Sequence, residues 1–97
     1  MKKEIAEKAN FFFEKAFYNG DSLTYTEKHS NAISACGCAL NFKNNIRNDN
    51  EALKWCKKGL EYEPDNNMLL ELKRELEFKI DPSNYAIQQL KEKGWVK

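Results

Sequence analysis

The sequence predicts an all-α fold, a small antiparallel array of about five helices. Apolar residues recur every three or four positions in successive segments, which is the period of a helix with one buried face. No segment shows the sustained two-residue alternation of a half-buried β-strand. Short polar connections separate the segments, and such connections favour antiparallel neighbours. We expect the 97 residues to form one domain, with 1–20 as the first helix, 22–64 as a helical hairpin, and 65–97 as C-terminal helices with a Trp-containing tail.

The first segment, Lys3 to Tyr18, carries apolar residues at the spacing of one helix face. These residues are Ile5, Ala9, Phe12, Phe13 and Ala16. We expect this face to enter the core. Asn19-Gly20 then predicts the end of the helix, because both residue types suit a left-handed C-terminal position.

The second segment, about 22–45, contains no proline and a single glycine, Gly37. Its apolar positions repeat with helical period at Ile33, Cys36, Ala39, Leu40 and Phe42. Its first residues include Thr, His, Ser and Asn, which suit either the first turns of a helix or an ordered loop. One long helix and two short helices are both compatible with this pattern.

The third segment begins at a polar connection, where Asn48 and Glu51 have the spacing of a capping pair. Its predicted buried face consists of Leu53, Cys56 and Leu60, flanked by Ala52 and Gly59. The helix is expected to end before Pro64, because the residue that precedes a proline avoids the helical region.

Two further helices are predicted after Pro64. Asp65 is the expected N-cap of the fourth helix, and Asp81 is the expected N-cap of the fifth, with Pro82 at the tolerated first helical position. The apolar face of the fourth helix is Met68 or Leu69, Leu72, Leu76 and Ile80, and that of the fifth is Ala86, Ile87 and Leu90. The fifth helix is expected to end at Gly94.

Composition narrows the classes of function. The chain contains sixteen Lys and Arg residues and fifteen Asp and Glu residues. It has no basic block of the kind that displaces counterions from nucleic-acid phosphates. The charges around Phe11–Phe13 exclude a signal-peptide apolar run, and no segment has the length of a membrane span. The odd number of cysteines favours reduced thiols in the cytoplasm. We therefore expect a cytoplasmic protein that does not enter membranes, and nucleic acid is a disfavoured partner.

The stretch DNEALKWCKKGLEYEPDN, 49–66, resembles the second half of a tetratricopeptide repeat. Small residues and a helix-ending proline stand at family intervals of four, three and five, at Ala52, Cys56, Gly59 and Pro64. Cys and Gly replace the usual aromatic residue and alanine. Upstream, Ala35, Cys38, Ala39 and Phe42 match the first helix of the repeat if the turn 44–50 is one residue longer than usual.

The resemblance covers about 33–80 as one degenerate repeat, with Asn66 to Lys79 as the next helix or a solvating cap. A helical bundle of another kind is the alternative. The family implies binding of a protein or peptide on a concave helical surface. One subgroup clamps the carboxylate end of chaperone tails, but Met68 and Leu72 stand where its basic residues are needed, so the resemblance does not extend to that clamp.

Candidate chemistry is sparse. Cys36 and Cys38 point apart on a helix and cannot share an ion with His29, so we interpret Cys36 and Cys56 as small core residues. His29 lies at no helical contact spacing from its neighbouring serines, and no glycine-rich phosphate loop is present. Carboxylate pairs such as Glu71 and Glu75 are typical of a solvated helix face. We expect no catalytic, metal or cofactor site, and hence no enzyme.

Aromatic residues provide the candidate partner-binding positions. Phe11 and Tyr18, seven residues apart, lie beside the predicted core stripe and either pack against the region of Tyr25 or anchor a partner. Trp95 either folds over the core or is an exposed hot spot. Lys43 and Asn44, at the hairpin turn, complete the set.

The function predicted from these features is non-enzymatic protein–protein interaction, as a small adaptor, a complex subunit or an inhibitor of a partner protein. The alternative is a nucleic-acid-binding helical domain that uses a modest basic patch. Its residues would be Lys54, Lys57, Lys58, Lys73 and Arg74. Salt dependence of binding separates the two, because only phosphate contacts release many counterions. The oligomeric state remains open at this point.

Overall fold

The structure, a computed structural model, describes residues 3–94, except the side chain of Lys3. This part of the chain contains five α-helices and no β-strand, which confirms the predicted fold class. The helices are α1 (Lys3–Lys15), α2 (Tyr25–Asn41), α3 (Asp49–Tyr62), α4 (Asn67–Ile80) and α5 (Pro82–Glu92). Each helix packs chiefly against its neighbours in sequence, which gives a flat array of 43 × 36 × 17 Å. No helix within 3–94 combines the length and apolar character that crossing a membrane requires.

Small residues bring α2, α3 and α4 close together in the core. Gly59 on α3 is the tightest point, since a Cβ added there would lie 2.9 Å from Ala35 Cβ on α2 and 2.7 Å from Leu69 Cδ1 on α4. The core consists of Ala32, Ala35, Cys36, Cys38, Ala39, Ala52, Trp55, Cys56, Leu69, Leu72 and Leu76. The core side chains of α2 are thus alanine and cysteine, those of α3 are Ala52, Cys56 and the large Trp55, and those of α4 are leucine.

One helix, α2, occupies most of the second segment, so the two-helix alternative is wrong. A capping box fixes its start, because Thr24 accepts a hydrogen bond from the Glu27 N–H and Glu27 accepts one from the Thr24 N–H. After Asn41 the helix widens into a π-helical turn, Phe42–Ile46, which ends at Arg47 in the left-handed region with φ of 65°. A π turn holds more residues than an α turn and so lengthens the connection to α3.

The predicted core face of α2 is wrong at Ile33, which is 55% exposed. Polar residues are buried on this helix instead, namely Asn31, Ser34 and Asn41. The reason is that α2 lies between α1 and α3, so it is covered on more than one side, and both α1 and the loop after it offer polar backbone groups to α2. The predicted positions Cys36 and Ala39 are buried.

α1 ends at Lys15 rather than at Tyr18, and Gly20 adopts a φ of 123° in the loop that follows. Its predicted core face is wrong as well. Ile5 and Phe12 are 55% and 71% exposed, whereas Ala6 is fully buried. α1 is therefore rotated about its axis relative to the orientation that its apolar stripe predicts. Its buried side contacts polar and small groups of α2 rather than an apolar groove.

The predicted boundaries of α3 are confirmed. Asn48 Oδ1 accepts a hydrogen bond from the Glu51 N–H at 3.1 Å, and the helix ends two residues before Pro64. The buried face differs in part, since Trp55 is only 8% exposed although it lies outside the predicted stripe. The flanking positions Ala52 and Gly59 are buried as well.

The cap of α4 is Asn66 rather than Asp65, because Asn66 Oδ1 accepts the Leu69 N–H at 3.0 Å while Asp65 lies inside the preceding turn. Asp81 caps α5 with Pro82 in its first turn, as predicted. On the predicted apolar faces, Leu69, Leu72 and Leu76 are buried, Leu90 is half-buried, and Met68, Ile80, Ala86 and Ile87 are exposed. α5 has no buried residue, because α4 covers it on one side only.

Candidate functional site

An apolar strip on α1 points away from the core. We define the α1 outer face as Ile5, Phe11 and Phe12, which are 55%, 52% and 71% exposed. The rings of Phe11 and Phe12 stand edge to face with centroids 6.1 Å apart, and Lys15 Nζ lies 4.4 Å from the Phe11 centroid. Three large apolar side chains are therefore presented together on one helix.

A shallow depression of about 560 Å³ accompanies this face. Phe11 and Phe12 form its apolar part, and Glu4, Glu7 and Lys8 line the remainder. An apolar centre with a charged margin is the usual anatomy of a protein–protein contact.

The orientation of α1 is fixed by hydrogen bonds to its antiparallel neighbour α2. Asn41 Nδ2 donates to the Ala6 carbonyl at 2.6 Å and to Asn10 Oδ1 at 3.0 Å. In the middle of the interface, the Phe13 ring packs against Gly37, where an added Cβ would meet the ring at 2.8 Å. These contacts hold one side of α1 inward, and consequently they hold the outer face in solvent.

Tyr18 lies at the far end of the same interface. Its backbone N–H donates to Asn31 Oδ1 at 2.7 Å, and its carbonyl accepts from Asn31 Nδ2 at 3.0 Å. The side chain is 47% exposed. Because α1 ends at Lys15, Tyr18 is not on a helix face with Phe11, contrary to the expectation from their spacing.

The remaining predicted partner-binding residues are dispersed. Lys43 and Asn44 lie in the π-helical turn, which contacts α1. The turn follows Asn41, whose side chain donates to the Ala6 carbonyl, so it lies at the opposite end of α1 from Tyr18. Lys43 Nζ forms a 2.7 Å ion pair with Glu75 on α4, and its side chain is only 16% exposed. Asn44 is exposed. Trp95 lies outside the described residues. The structure therefore does not gather the predicted set into one site.

The periodicity of α1 predicts core positions for Ile5 and Phe12, but both are exposed and belong to the α1 outer face. The pattern identified an apolar face correctly but not whether a neighbour covers it. Another exposed aromatic, Tyr25, is 80% exposed and stacks on His29 with ring planes 2° apart. No spacing in the sequence distinguishes it from a buried tyrosine.

His29 joins the start of α2 to the α3–α4 connection. Its Nδ1 lies 2.7 Å from Glu63 Oε2, and Asn66 Nδ2 donates to the other carboxylate oxygen at 2.6 Å. These hydrogen bonds from His29 and Asn66 lower the pKa of Glu63. The arrangement ties three helices together at one end of the array.

Cys36, Cys38 and Cys56 are free and buried, which agrees with the interpretation of Cys36 and Cys56 as core residues. Burial raises the pKa of Cys38 and of Cys56 to about 12, so both remain thiols at neutral pH. Among the residues that the structure describes, no three His, Cys, Asp or Glu side chains are grouped to hold a metal ion.

The lysines of the alternative nucleic-acid interface are divided between two helices. Lys54, Lys57 and Lys58 line an open depression of about 430 Å³ on α3, together with Glu61. Lys58 Nζ also lies 4.9 Å from the centroid of the Trp55 ring. On α4, Lys73 and Arg74 line a separate depression, and Lys73 pairs with Glu77 at 3.0 Å.

The α1 outer face thus holds three exposed large apolar side chains on one helix, including Phe12, which is 71% exposed, and its function must be inferred from its own chemistry. Comparison of the chain with protein-family models, with curated proteins and with solved structures finds no match.

Proposed function

We propose that the chain is a non-enzymatic protein-interaction module, a small adaptor, complex subunit or inhibitor, which binds a protein partner through the α1 outer face. The exposure of Phe12 beside Phe11 and Ile5 carries this proposal. Fully burying a side chain of this size is worth about 1.5–3 kcal/mol. A contiguous exposed group of this kind marks contact surfaces more often than a scattered single residue does.

The spacing on α1 indicates what the partner offers. Ile5 and Phe12 are seven residues apart, with Ala9 between them, which is the anchor pattern of an amphipathic helix that lies in an apolar groove. Glu4, Glu7 and Lys8 at the margin carry charges of both signs. We therefore expect them to orient the partner rather than to attract it strongly. The proposed partner therefore presents a hydrophobic groove with polar edges.

We further propose that α2 and α3 form a tetratricopeptide-like hairpin. The close approach of Gly59 to Ala35 supports this, because that repeat places small residues where its two helices cross. The π-helical turn Phe42–Ile46 accommodates a connection longer than the usual one. In this arrangement the hairpin is the scaffold, and α1 is presented at its edge.

A reducing compartment such as the cytoplasm suits this activity. Three free, buried cysteines support the assignment, since an oxidising environment would expose them to disulfide chemistry whenever the chain opens.

The test is affinity capture from cells that express the chain naturally, with Phe12→Ala and Met68→Ala as a matched pair. Both side chains are largely exposed, 71% and 63%, so neither substitution disturbs the core. If Phe12 is a hot spot worth 2 kcal/mol, the affinity for the captured partner falls about 30-fold in Phe12→Ala. Met68→Ala retains it. Equal capture by both variants would refute the assignment to α1.

A specific observation favours a second candidate, nucleic-acid binding. Lys54, Lys57 and Lys58 stand together on α3 around one depression, although Glu61 reduces their net charge. Titration with single-stranded and duplex DNA at two salt concentrations tests it. Binding that weakens steeply with salt and is lost in the Lys54→Ala, Lys58→Ala variant would favour this candidate, whereas salt-insensitive binding to one protein favours the first.

A further inference from the structure

A cavity of about 350 Å³ lies where the loop after α1 meets α3. We call it the Trp55 pocket, and it is lined by Glu14, Phe17, Asn19, Lys54, Trp55, Lys58 and Tyr62. Its volume is in the range of small-molecule sites. The α1 outer face contributes no residue to it. The proposed function therefore assigns this pocket no role.

Three aromatic rings pack together in the Trp55 pocket. The centroid of the Phe17 ring lies 5.8 Å from that of Trp55 and 6.0 Å from that of Tyr62. Trp55 and Tyr62 stand seven residues apart on α3, so they lie on the same side of that helix. Trp55 is a core residue, and Phe17 packs against the same core. The pocket thus offers a firmly supported aromatic surface, on which a planar ring stacks favourably.

The loop side of the pocket is held in place by a buried side chain. Asn31 on α2 is 0% exposed, and its Oδ1 accepts the Tyr18 N–H at 2.7 Å. Its Nδ2 donates to the Tyr18 carbonyl at 3.0 Å. Both backbone groups of Tyr18 are therefore fixed, and with them the neighbouring Phe17 and Asn19. A pocket whose walls are already in place binds a ligand without having to order the chain first.

Two lysines place positive charge on this pocket. Lys54 and Lys58 are four residues apart on α3, and like charges at that spacing repel each other. Lys58 Nζ lies 5.3 Å from the centroid of the Phe17 ring and 4.9 Å from that of Trp55, so this ammonium sits over the aromatic surface. Among residues 3–94 neither ammonium forms an ion pair. An anion in the pocket would relieve their repulsion.

The charge of the lining indicates which kind of anion fits. Glu14 is the acidic side chain of the lining, and Lys54 and Lys58 are the basic ones. The lining therefore carries one net positive charge, which a singly charged carboxylate balances and a doubly charged phosphate exceeds.

From this geometry we infer that the Trp55 pocket binds a small aromatic carboxylate. Its ring stacks on the surface that Phe17, Trp55 and Tyr62 form, and its carboxylate pairs with the ammonium groups of Lys54 and Lys58. A neutral ring would leave the two lysines unpaired, and an inorganic anion would leave the aromatic surface uncovered. The inference goes beyond the proposed function, because this ligand is a small molecule and its site shares no residue with the α1 outer face.

Titration with naphthoate tests the inference, with naphthamide and inorganic phosphate as controls. Naphthamide has the same ring without the charge, and phosphate has charge without a ring. NMR spectra follow the backbone amides and the Trp55 indole N–H. Naphthoate should shift signals at Phe17, Asn19, Trp55 and Lys58, with a dissociation constant on the order of 1 mM for a ligand of this size. Each control should bind about fivefold more weakly or less tightly still.

Lys58→Gln and Lys57→Gln are a matched pair on α3. Both lysines are exposed, but only Lys58 lines the Trp55 pocket. Naphthoate should bind Lys58→Gln about fivefold more weakly than wild type, and it should bind Lys57→Gln within about twofold of wild type. Glu14→Gln removes the acidic charge of the lining and should tighten binding about twofold. Circular dichroism should show unchanged helix content in all three variants.

Three results would overturn the inference. They are equal affinity for naphthoate and either control, equal losses in the two lysine variants, and no shifts in the pocket at about tenfold the expected dissociation constant. Weaker binding to Glu14→Gln would also contradict it, since that result gives the lining the wrong sign of charge. Capture of a protein through Phe12 is a separate measurement, so this inference and the proposed function can fail independently.

Discussion

Replacing Gly59 with alanine tests the close crossing of α2, α3 and α4. The new methyl group would lie 2.9 Å from Ala35 Cβ and 2.7 Å from Leu69 Cδ1. Both neighbours are fully buried. Ala35 Cβ is attached directly to the α2 backbone, so it cannot move away unless the helix moves.

Two effects of opposite sign determine how much Gly59→Ala changes the free energy of unfolding. Overpacking a well-filled core costs about 1–3 kcal/mol, and contacts below 3 Å with two buried groups place this case near the upper end. Alanine in a helix interior is favoured over glycine by about 1 kcal/mol. The free energy of unfolding should therefore fall by about 2 kcal/mol, which lowers the Tm of a domain of this size by about 10 °C.

Gly37→Ala is the matched control on α2. The atoms nearest to its added Cβ belong to the Phe13 ring, at 2.8–3.1 Å, and that side chain is 37% exposed, so the ring can swing outward. Helix propensity should then dominate, and stability should stay equal or rise by up to about 1 kcal/mol. Urea unfolding followed by circular dichroism measures both variants. Gly59→Ala at least as stable as Gly37→Ala would refute the proposed packing.

Three further outcomes follow from polar and ionisable groups. Asn41→Ala removes the side chain that holds α1 and should lower the free energy of unfolding by about 2 kcal/mol. Amide exchange should then be faster in α1 than elsewhere, and uniform exchange would contradict this. The pKa of Cys38 and of Cys56 is 9.0 in the unfolded chain and about 12 in the fold, so stability should fall as pH rises through this interval. Alkylation of the folded protein at pH 9 should therefore be slow. Rapid alkylation would show that the core opens. The pKa of Glu63 is lowered from 4.5 by His29, so its stabilising effect is present above pH 4.5 and is lost as pH falls through the lower folded value. The stability difference between wild type and Glu63→Gln should close in acid, and a gap that persists would contradict the pairing.

Local sequence signals predict the boundaries of α3 and the start of α5, because caps depend on nearby residues, but they misplace the end of α1 and the cap of α4. Asn48, Asp81 and Pro64 mark ends that the structure reproduces. The sequence leaves the start of α2 open, because Thr24 and Glu27 form their capping box within a polar run where several residues suit the same role. The π-helical turn had no distinctive signal.

The burial of α1 was not predictable from its period. Ile5 and Phe12 form the apolar stripe that normally faces a core, yet the long-range partner of this helix is Asn41. Hydrogen bonds between residues 35 positions apart depend on the tertiary arrangement. An asparagine at position 10 that is 5% exposed contradicts any pattern based on polarity alone.

The candidate site was predicted only in outline for the same reason. The sequence predicts Phe11 as a partner-binding residue, and Phe11 lies on the exposed side of α1. It predicts a core position for Phe12, which is the more exposed of the two. Nothing near Lys43 in the sequence indicates its ion pair with Glu75, because Glu75 lies on a different helix. The sequence indicates which residue types are available for the surface, but it does not indicate which residues lie next to each other across two helices.

Photo-crosslinking from position 12 tests the central claim most directly. A benzophenone amino acid in place of Phe12, compared with the same residue in place of the exposed Met68 on α4, reports what lies against each surface in the cell. The account predicts that position 12 yields a protein adduct, whether with a second copy of the chain or with another protein, and that position 68 does not. Equal yields at the two positions, or adducts with nucleic acid alone, would contradict it.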